Sequence, residues 1–268
     1  MTHENIITTD LTSNLSAGVL TLTMNRPDSL NAMSKPMLTA MLEVLREAVV
    51  NPEIRAVILT GAGRAFCAGG DVKAMAQSGQ VLTPEANVQL LRDRMECSRL
   101  LHEMPKPTIA VGRGAMAGAG LSLALACDIR VVSDTLKLTS AFVKVGLSGD
   151  FGGSYFLNQL LGPRAREFVM LSPILNAEQA LAMGLVSQVV PDAELDAAGR
   201  ALAQRLADGP SITIEHIKAN LNAAEQGLSL AQILDHEAIR HIRSSMTEDH
   251  KEAARAFVEK RAPKFIHR

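Results

Sequence analysis

The run Ala56-Val-Ile-Leu-Thr-Gly-Ala-Gly-Arg-Ala-Phe-Cys-Ala-Gly-Gly-Asp71 decides the fold, because it joins a fully apolar strand to a turn made almost entirely of small residues. Ala56–Thr60 is apolar enough to be buried on both faces, which is the pattern of a strand inside a parallel sheet. In the turn, Ala68, Gly69 and Gly70 leave backbone N–H groups open to a ligand oxygen, and Asp71 is placed to cap the next helix. Neither GxxxxGK[ST] nor GxGxxG is present, so the turn does not read as a nucleotide phosphate loop.

Outward from this run, strands alternate with helices. Gly18–Met24, Thr108–Gly112 and Ile129–Ser133 read as strands, with Lys137–Thr139 as a further short one. Lys35–Val50, Glu85–Glu103 and Leu121–Asp128 read as helices, and Met33, Met37, Met41, Met75, Met95 and Met104 fall at helical spacing as core residues. From Pro163 onward the pattern is almost wholly helical. The order predicts an α/β fold with parallel crossovers over residues 1–200, and a helical region over 201–268 that caps or assembles.

Two further glycine-rich turns follow. Gly112-Arg-Gly-Ala-Met-Ala-Gly-Ala-Gly120 leads into a helix, whose free N–H groups and dipole favour developing negative charge. Gly146-Leu-Ser-Gly-Asp-Phe-Gly-Gly153 holds one ionisable side chain, Asp150, among glycines and the apolar Leu147, Phe151, Tyr155 and Phe156. Such surroundings raise a carboxyl pKa towards neutrality. Asp150 either trades protons with a ligand or caps a helix starting near Phe151.

The 268 residues, 47% of them hydrophobic, suffice for a large core. Basic and acidic side chains, 27 and 28, nearly cancel, so no field favours nucleic acid or an anionic membrane. Cys67, Cys97 and Cys127 are odd in number and lack a CxxC pair, which argues for reduced thiols and against zinc or disulfides. The start carries no basic segment followed by an apolar run, and no apolar stretch reaches the ~20 residues of a membrane span. The chain is read as soluble and cytoplasmic, without metal. None of the seven histidines is expected to pair with a carboxylate, and His102, His216, His236 and His241 read as surface or helix residues.

The markers Asn25-Arg-Pro27 with Asn31-Ala32, Ala65–Asp71, Lys106-Pro107, Ala117–Asp128, Gly152-Gly153, Ala180–Val186 and Phe257–Arg261 resemble those of the crotonase (enoyl-CoA hydratase and isomerase) superfamily over nearly the whole chain. The resemblance implies a spiral of stacked ββα units, a C-terminal helical region that trimerises, often as a dimer of trimers, and an acyl-CoA thioester substrate with no other cofactor. It also implies an oxyanion hole made by the N–H groups of Ala68 and Ala119. Hydratases of this family place two glutamates where this chain has Ser122 and Phe142, neither of which is a general base at neutral pH. Asp150 falls where isomerases of the family carry a single carboxylate, and its surroundings resemble the 1,2-epoxyphenylacetyl-CoA isomerase branch.

The expected reaction is therefore isomerisation of an enoyl- or epoxyacyl-CoA through a thioester enolate. A hydratase using Asp150 alone and a non-catalytic acyl-CoA binding protein are the alternatives. By the same resemblance Arg26 and Arg64 meet coenzyme A phosphates, Ala65, Ala68, Gly70 and Asp71 line its site, and Lys260 and Phe265 reach the ligand of an adjacent subunit. The segment after Asp71 and the helix Glu85–Glu103 are expected to shape the acyl pocket.

Overall fold

Strands that are apolar on both faces need a helix layer on each side, and this molecule supplies both. The computed structural model describes residues 3–72, 74 and 83–268. Its main sheet begins with a meander of β1 (His3–Thr8), β2 (Leu11–Ser16) and β3 (Val19–Met24). It continues in parallel through β4 (Ala56–Gly61), β5 (Thr108–Gly112), β7 (Ile129–Ser133) and β9 (Gln188–Val190). A small second sheet pairs β6 (Ala115–Ala117) with β8 (Lys137–Thr139) in parallel.

Alternation along β4 sorts its side chains between the two layers. Val57 and Leu59 join the main core under helices α1 (Lys35–Val50), α2 (Pro84–Glu103) and α3 (Ala119–Ala126). The small helices α4 (Gly153–Leu161), α5 (Arg164–Leu171) and α6 (Ala177–Ala182) extend the same core through Phe156, Phe168 and Ala180. Ala56 and Ile58 face the other way, with Ile109, Val111 and Val131, onto α7 (Leu195–Ala207). Gly199 lets α7 press close, since a Cβ there would lie 2.5 Å from a Val111 methyl. The division drawn at residue 200 falls inside this helix. Ala203 and Ala207 are buried against the sheet, so the core extends to the turn at Asp208.

The last helices, α8 (Ser211–Glu225), α9 (Leu230–Ser245) and α10 (Glu248–Val258), lie outside both layers. A buried cation ties α8 to the core. The Lys218 ammonium donates to the carbonyls of Leu101 (3.1 Å) and Lys106 (3.0 Å) and to the Asp128 carboxylate (2.8 Å). The same carboxylate accepts from the Thr108 N–H at 2.7 Å, so sheet, α2 and α8 meet at one ion pair.

Most elements begin and end where the sequence pattern placed them, with three corrections. The meander starts two strands earlier than read, β6 lies within the stretch read as a glycine-rich turn before α3, and β9 interrupts the almost wholly helical tail to pair with β7. Met33, Met37, Met41 and Met104 are buried, Met95 packs against them from a half-buried position, and Met75 lies outside the described residues. No helix among the described residues is long and apolar enough to cross a membrane.

Removing the carboxylate leaves the buried Lys218 ammonium without a counter-charge, although Asp128 itself reaches solvent. Asp128→Asn should destabilise the protein by about 3 kcal/mol, while Lys218→Met combined with Asp128→Asn should cost much less. Denaturant melts of the two single variants and the double variant measure this; additive losses would contradict it.

Candidate active site

A buried amide organises the site. Asn31 lies at φ 56°, in the left-handed region that Asn tolerates better than most residues. Its Oδ1 accepts from the Arg26 N–H (2.9 Å), and its Nδ2 donates to the carbonyls of Ala62 (2.9 Å) and Ala65 (2.8 Å). The turn after β4 is thereby fastened to the segment after β3, and the Cys67 thiol adds a bond to the Asn31 carbonyl (3.1 Å).

The turn then places its N–H groups. The Ala68 N–H donates to the Leu30 carbonyl at 2.9 Å, which corrects its expected role as an oxyanion donor, because a spent donor cannot also bind a ligand oxygen. Gly70, two residues on, lines the cavity described below, and no backbone carbonyl among the described residues accepts from its N–H. Ala119 lines the same cavity and opens α3, whose first-turn N–H groups have no partners within the helix. The two loops touch at Gly69 (φ +103°): a Cβ there would lie 3.0 Å from the Ala117 carbonyl oxygen and 3.6 Å from the Ala119 nitrogen. Gly70 and Ala119 thus come to one cavity from two touching loops.

Asp150 does not cap α4. The N-cap is Gly152 in the left-handed region, with no side-chain cap bond, and Asp150 contributes only its carbonyl, accepting from the Gly153 N–H at 3.1 Å. The carboxyl Oδ1 is buried without a hydrogen-bond partner, and burial pushes the Asp150 pKa up to about 6. Of the apolar neighbours anticipated, Phe151 is buried and lines the cavity with Asp150, whereas Leu147 and Tyr155 are exposed. Ser122 is buried with its hydroxyl donating to the Gly118 carbonyl (3.3 Å). The Phe142 ring would lie 3.9 Å from a Cβ on either Gly118 or Gly149, so an apolar ring stands between the α3 loop and the Asp150 turn.

The cavity of about 530 Å³ gathers Arg26, Gly70, Asp71, Ala119 and Asp150. Arg26 is already engaged there, donating to the Asp71 carboxylate (2.9 Å) and the Ala32 carbonyl (2.6 Å). Asp71 also accepts from the Ala74 N–H (3.0 Å), as its expected capping role requires. Residues 73 and 75–82, the segment expected to shape the acyl pocket, lie outside the described residues; α2 supplies Asn87, Leu91 and Arg94 to the cavity wall. Arg64 is exposed on the turn and Ala65 is buried beneath it, neither lining the cavity. Lys260 is exposed after α10, and Phe265 sits in a small hollow with Pro210 and His241, remote from Asp150 along the fold.

Two features escaped the sequence reading. Arg94, without a partner among the described residues, looks like any helix charge until its face is known. His102 does pair with a carboxylate: its Nε2 stands 3.2 Å from the Glu225 carboxylate, and its ring packs edge-on against Phe156 and Tyr155 in a second hollow of about 380 Å³. The Tyr155 ring, though partly open to solvent, packs edge-on against both His102 and Phe156. Burial pushes the thiols of Cys67, Cys97 and Cys127 each up to about 12, which leaves them inert.

The family described as enoyl-CoA hydratase/isomerase matches residues 14–268. The 1,2-epoxyphenylacetyl-CoA isomerase of Escherichia coli K12 is 36% identical over 94% of this chain and 97% of its own. The short-chain-enoyl-CoA hydratase of Clostridium acetobutylicum is 32% identical over 91% of this chain and 92% of its own. A crystal structure of an enoyl-CoA hydratase from Polaromonas sp. JS666 superposes with a TM-score of 0.89 at 32% identity, covering 95% of this chain and 98% of that one.

Because the folded carboxyl at 150 titrates near 6 rather than at its ordinary 3.8, the native state holds this proton more tightly than the unfolded chain. Stability linked to it is present at low pH and is lost as pH rises through about 6. Asp150→Asn should therefore gain in Tm over the parent as pH rises from about 4.5 to about 7 and hold that gain above. Thermal melts across pH read the effect; a gain independent of pH would contradict it.

Proposed function

The chain belongs to the enoyl-CoA hydratase/isomerase family, and from that premise we propose that it isomerises an enoyl- or epoxyacyl-CoA by moving one proton through a thioester enolate. The observation that carries the reading is the buried Asp150 carboxyl, unpartnered at Oδ1, in the same cavity as the Gly70 and Ala119 donors. Ionised Asp150 takes a proton from a carbon conjugated with the thioester. The C–H electron pair passes into the carbonyl, whose oxygen becomes an enolate held by the two N–H groups. With an enoyl substrate the carboxylic acid then returns the proton to a different carbon, and the double bond has moved with no water or electrons consumed. Coenzyme A arrives as part of the substrate, and the step uses no further cofactor or metal.

The neutral Ser122 hydroxyl and the Phe142 ring support proton transfer over hydration, since neither activates water. Hydration through Asp150 alone is the second reading, supported by relatives named as hydratases. Oxygen-18 from labelled water separates them, because only hydration adds the solvent oxygen. A non-catalytic acyl-CoA binder would show no exchange of α-protons in heavy water.

For coenzyme A, Arg64 on the exposed turn and Arg26 at the cavity are the proposed phosphate partners, Arg26 through Nη2, which the bonds of its Nη1 to Ala32 and Asp71 leave open. Lys260 and Phe265 are proposed to act on a neighbouring subunit's ligand. Assembly through the C-terminal helices is supported by their apolar side chains, since Leu230, Met246, Phe257 and Val258 are each more than 70% exposed. Light scattering should give three or six times the chain mass; a monomer would refute this assembly.

Asp150→Asn should lower α-proton exchange and double-bond migration by roughly 10²–10⁴-fold while acyl-CoA binding persists. In the parent, kcat/KM should rise with pH through an apparent pKa near 6, the base being the ionised form. Undiminished turnover in the variant would overturn the assignment.

A further inference from the structure

The charges of α2 divide by face. On the outer side Arg99 pairs with Glu96 and Glu103 (both 2.6 Å), Arg92 pairs with Glu96, and Gln89 donates to Asp93 (2.7 Å). On the other side Arg94 lines the Asp150 cavity with Asn87 and Leu91, half-buried, and engages in no ion pair or hydrogen bond among the described residues. One turn further along this stripe, the Ser98 hydroxyl is buried without a partner. Asp150 does not neutralise the guanidinium: no ion pair joins them, and burial alone accounts for the raised Asp150 pKa. Arg26, the other arginine lining the cavity, already holds a carboxylate. Half-buried and without an acceptor among the described residues, Arg94 is open to an anion that arrives with the ligand.

We propose that Arg94 makes the cavity selective for acyl-CoA thioesters whose acyl group carries a carboxylate at the end remote from the thioester. The inference rests on reading this cavity as the acyl-CoA site. An arginine can serve an acyl carboxylate or the phosphates of coenzyme A, and the two sources are distinguished by the ligands compared. Apolar Leu38, Leu91 and Phe151 in the same wall suit the methylene chain, while Arg94 suits its anionic end by a two-pronged hydrogen bond.

The test is calorimetric titration of the whole protein with coenzyme A, hexanoyl-CoA and glutaryl-CoA. Wild type should bind glutaryl-CoA at least ~10-fold more tightly than hexanoyl-CoA. Arg94→Gln should abolish that preference while affinity for coenzyme A changes by less than about 3-fold, and Arg94→Lys should restore part of it. Arg94→Glu should reverse the preference. No preference in wild type, or an equal loss for all three ligands in Arg94→Gln with its thermal transition intact, overturns the proposal, the latter placing the guanidinium on the nucleotide. Proton exchange on hexanoyl-CoA in heavy water is followed separately. Its absence in wild type refutes the isomerase reading without touching the binding preference, and failure of every ligand to bind refutes both.

Discussion

The site depends on the three hydrogen bonds of one buried amide. Asn31 needs an acceptor facing the Arg26 N–H and two donors facing the Ala62 and Ala65 carbonyls, and no other side chain of that size offers both. Aspartate would set a carboxylate against two carbonyls, and leucine would leave three backbone groups buried without partners, at about 1–3 kcal/mol each. Because the turn after β4 is pinned at Ala62 and Ala65, the chain leaves it in a fixed direction. The Ala68 N–H then meets Leu30, and Gly70 reaches the cavity.

On the opposite wall, function is obtained by leaving something undone. The Asp150 carboxyl has an oxygen that is buried and unpartnered, a state that costs stability whenever the group is ionised. A hydrogen bond from the protein would remove that cost and also lower the pKa, making the carboxylate a poorer base near neutral pH. The left-handed Gly152 gives α4 a start that does not recruit the Asp150 side chain.

The sheet was legible because its central strands are short apolar runs, as at Ala56, Thr108 and Ile129. β2 escaped because its Leu11-Thr-Ser-Asn-Leu-Ser16 run is too polar to stand out, and β9 because three residues carry too little pattern. The glycine turns and Asp150 were equally visible, since each breaks its surroundings chemically. Which N–H of a small-residue run points outward was not, because that direction comes from bonds to Leu30 and Asn31 made some 35 residues away. The pairing of His102 with Glu225 and the solitude of Arg94 likewise depend on helix facing, which residue type does not encode.

The clamp at Lys218 bears on how the chain comes into being. Lys218 and Asp128 are 90 residues apart, and the carbonyls of Leu101 and Lys106 that share the ammonium are older still along the chain. While the polypeptide is being synthesised, the residues of β5 and α2 emerge first, and of the groups at their junction Thr108 engages the Asp128 carboxylate and the Leu101 carbonyl while the Lys218 ammonium is still missing. Only when α8 has left the ribosome does the last polar hole close. The junction is therefore complete only once the C-terminal quarter of the chain is present.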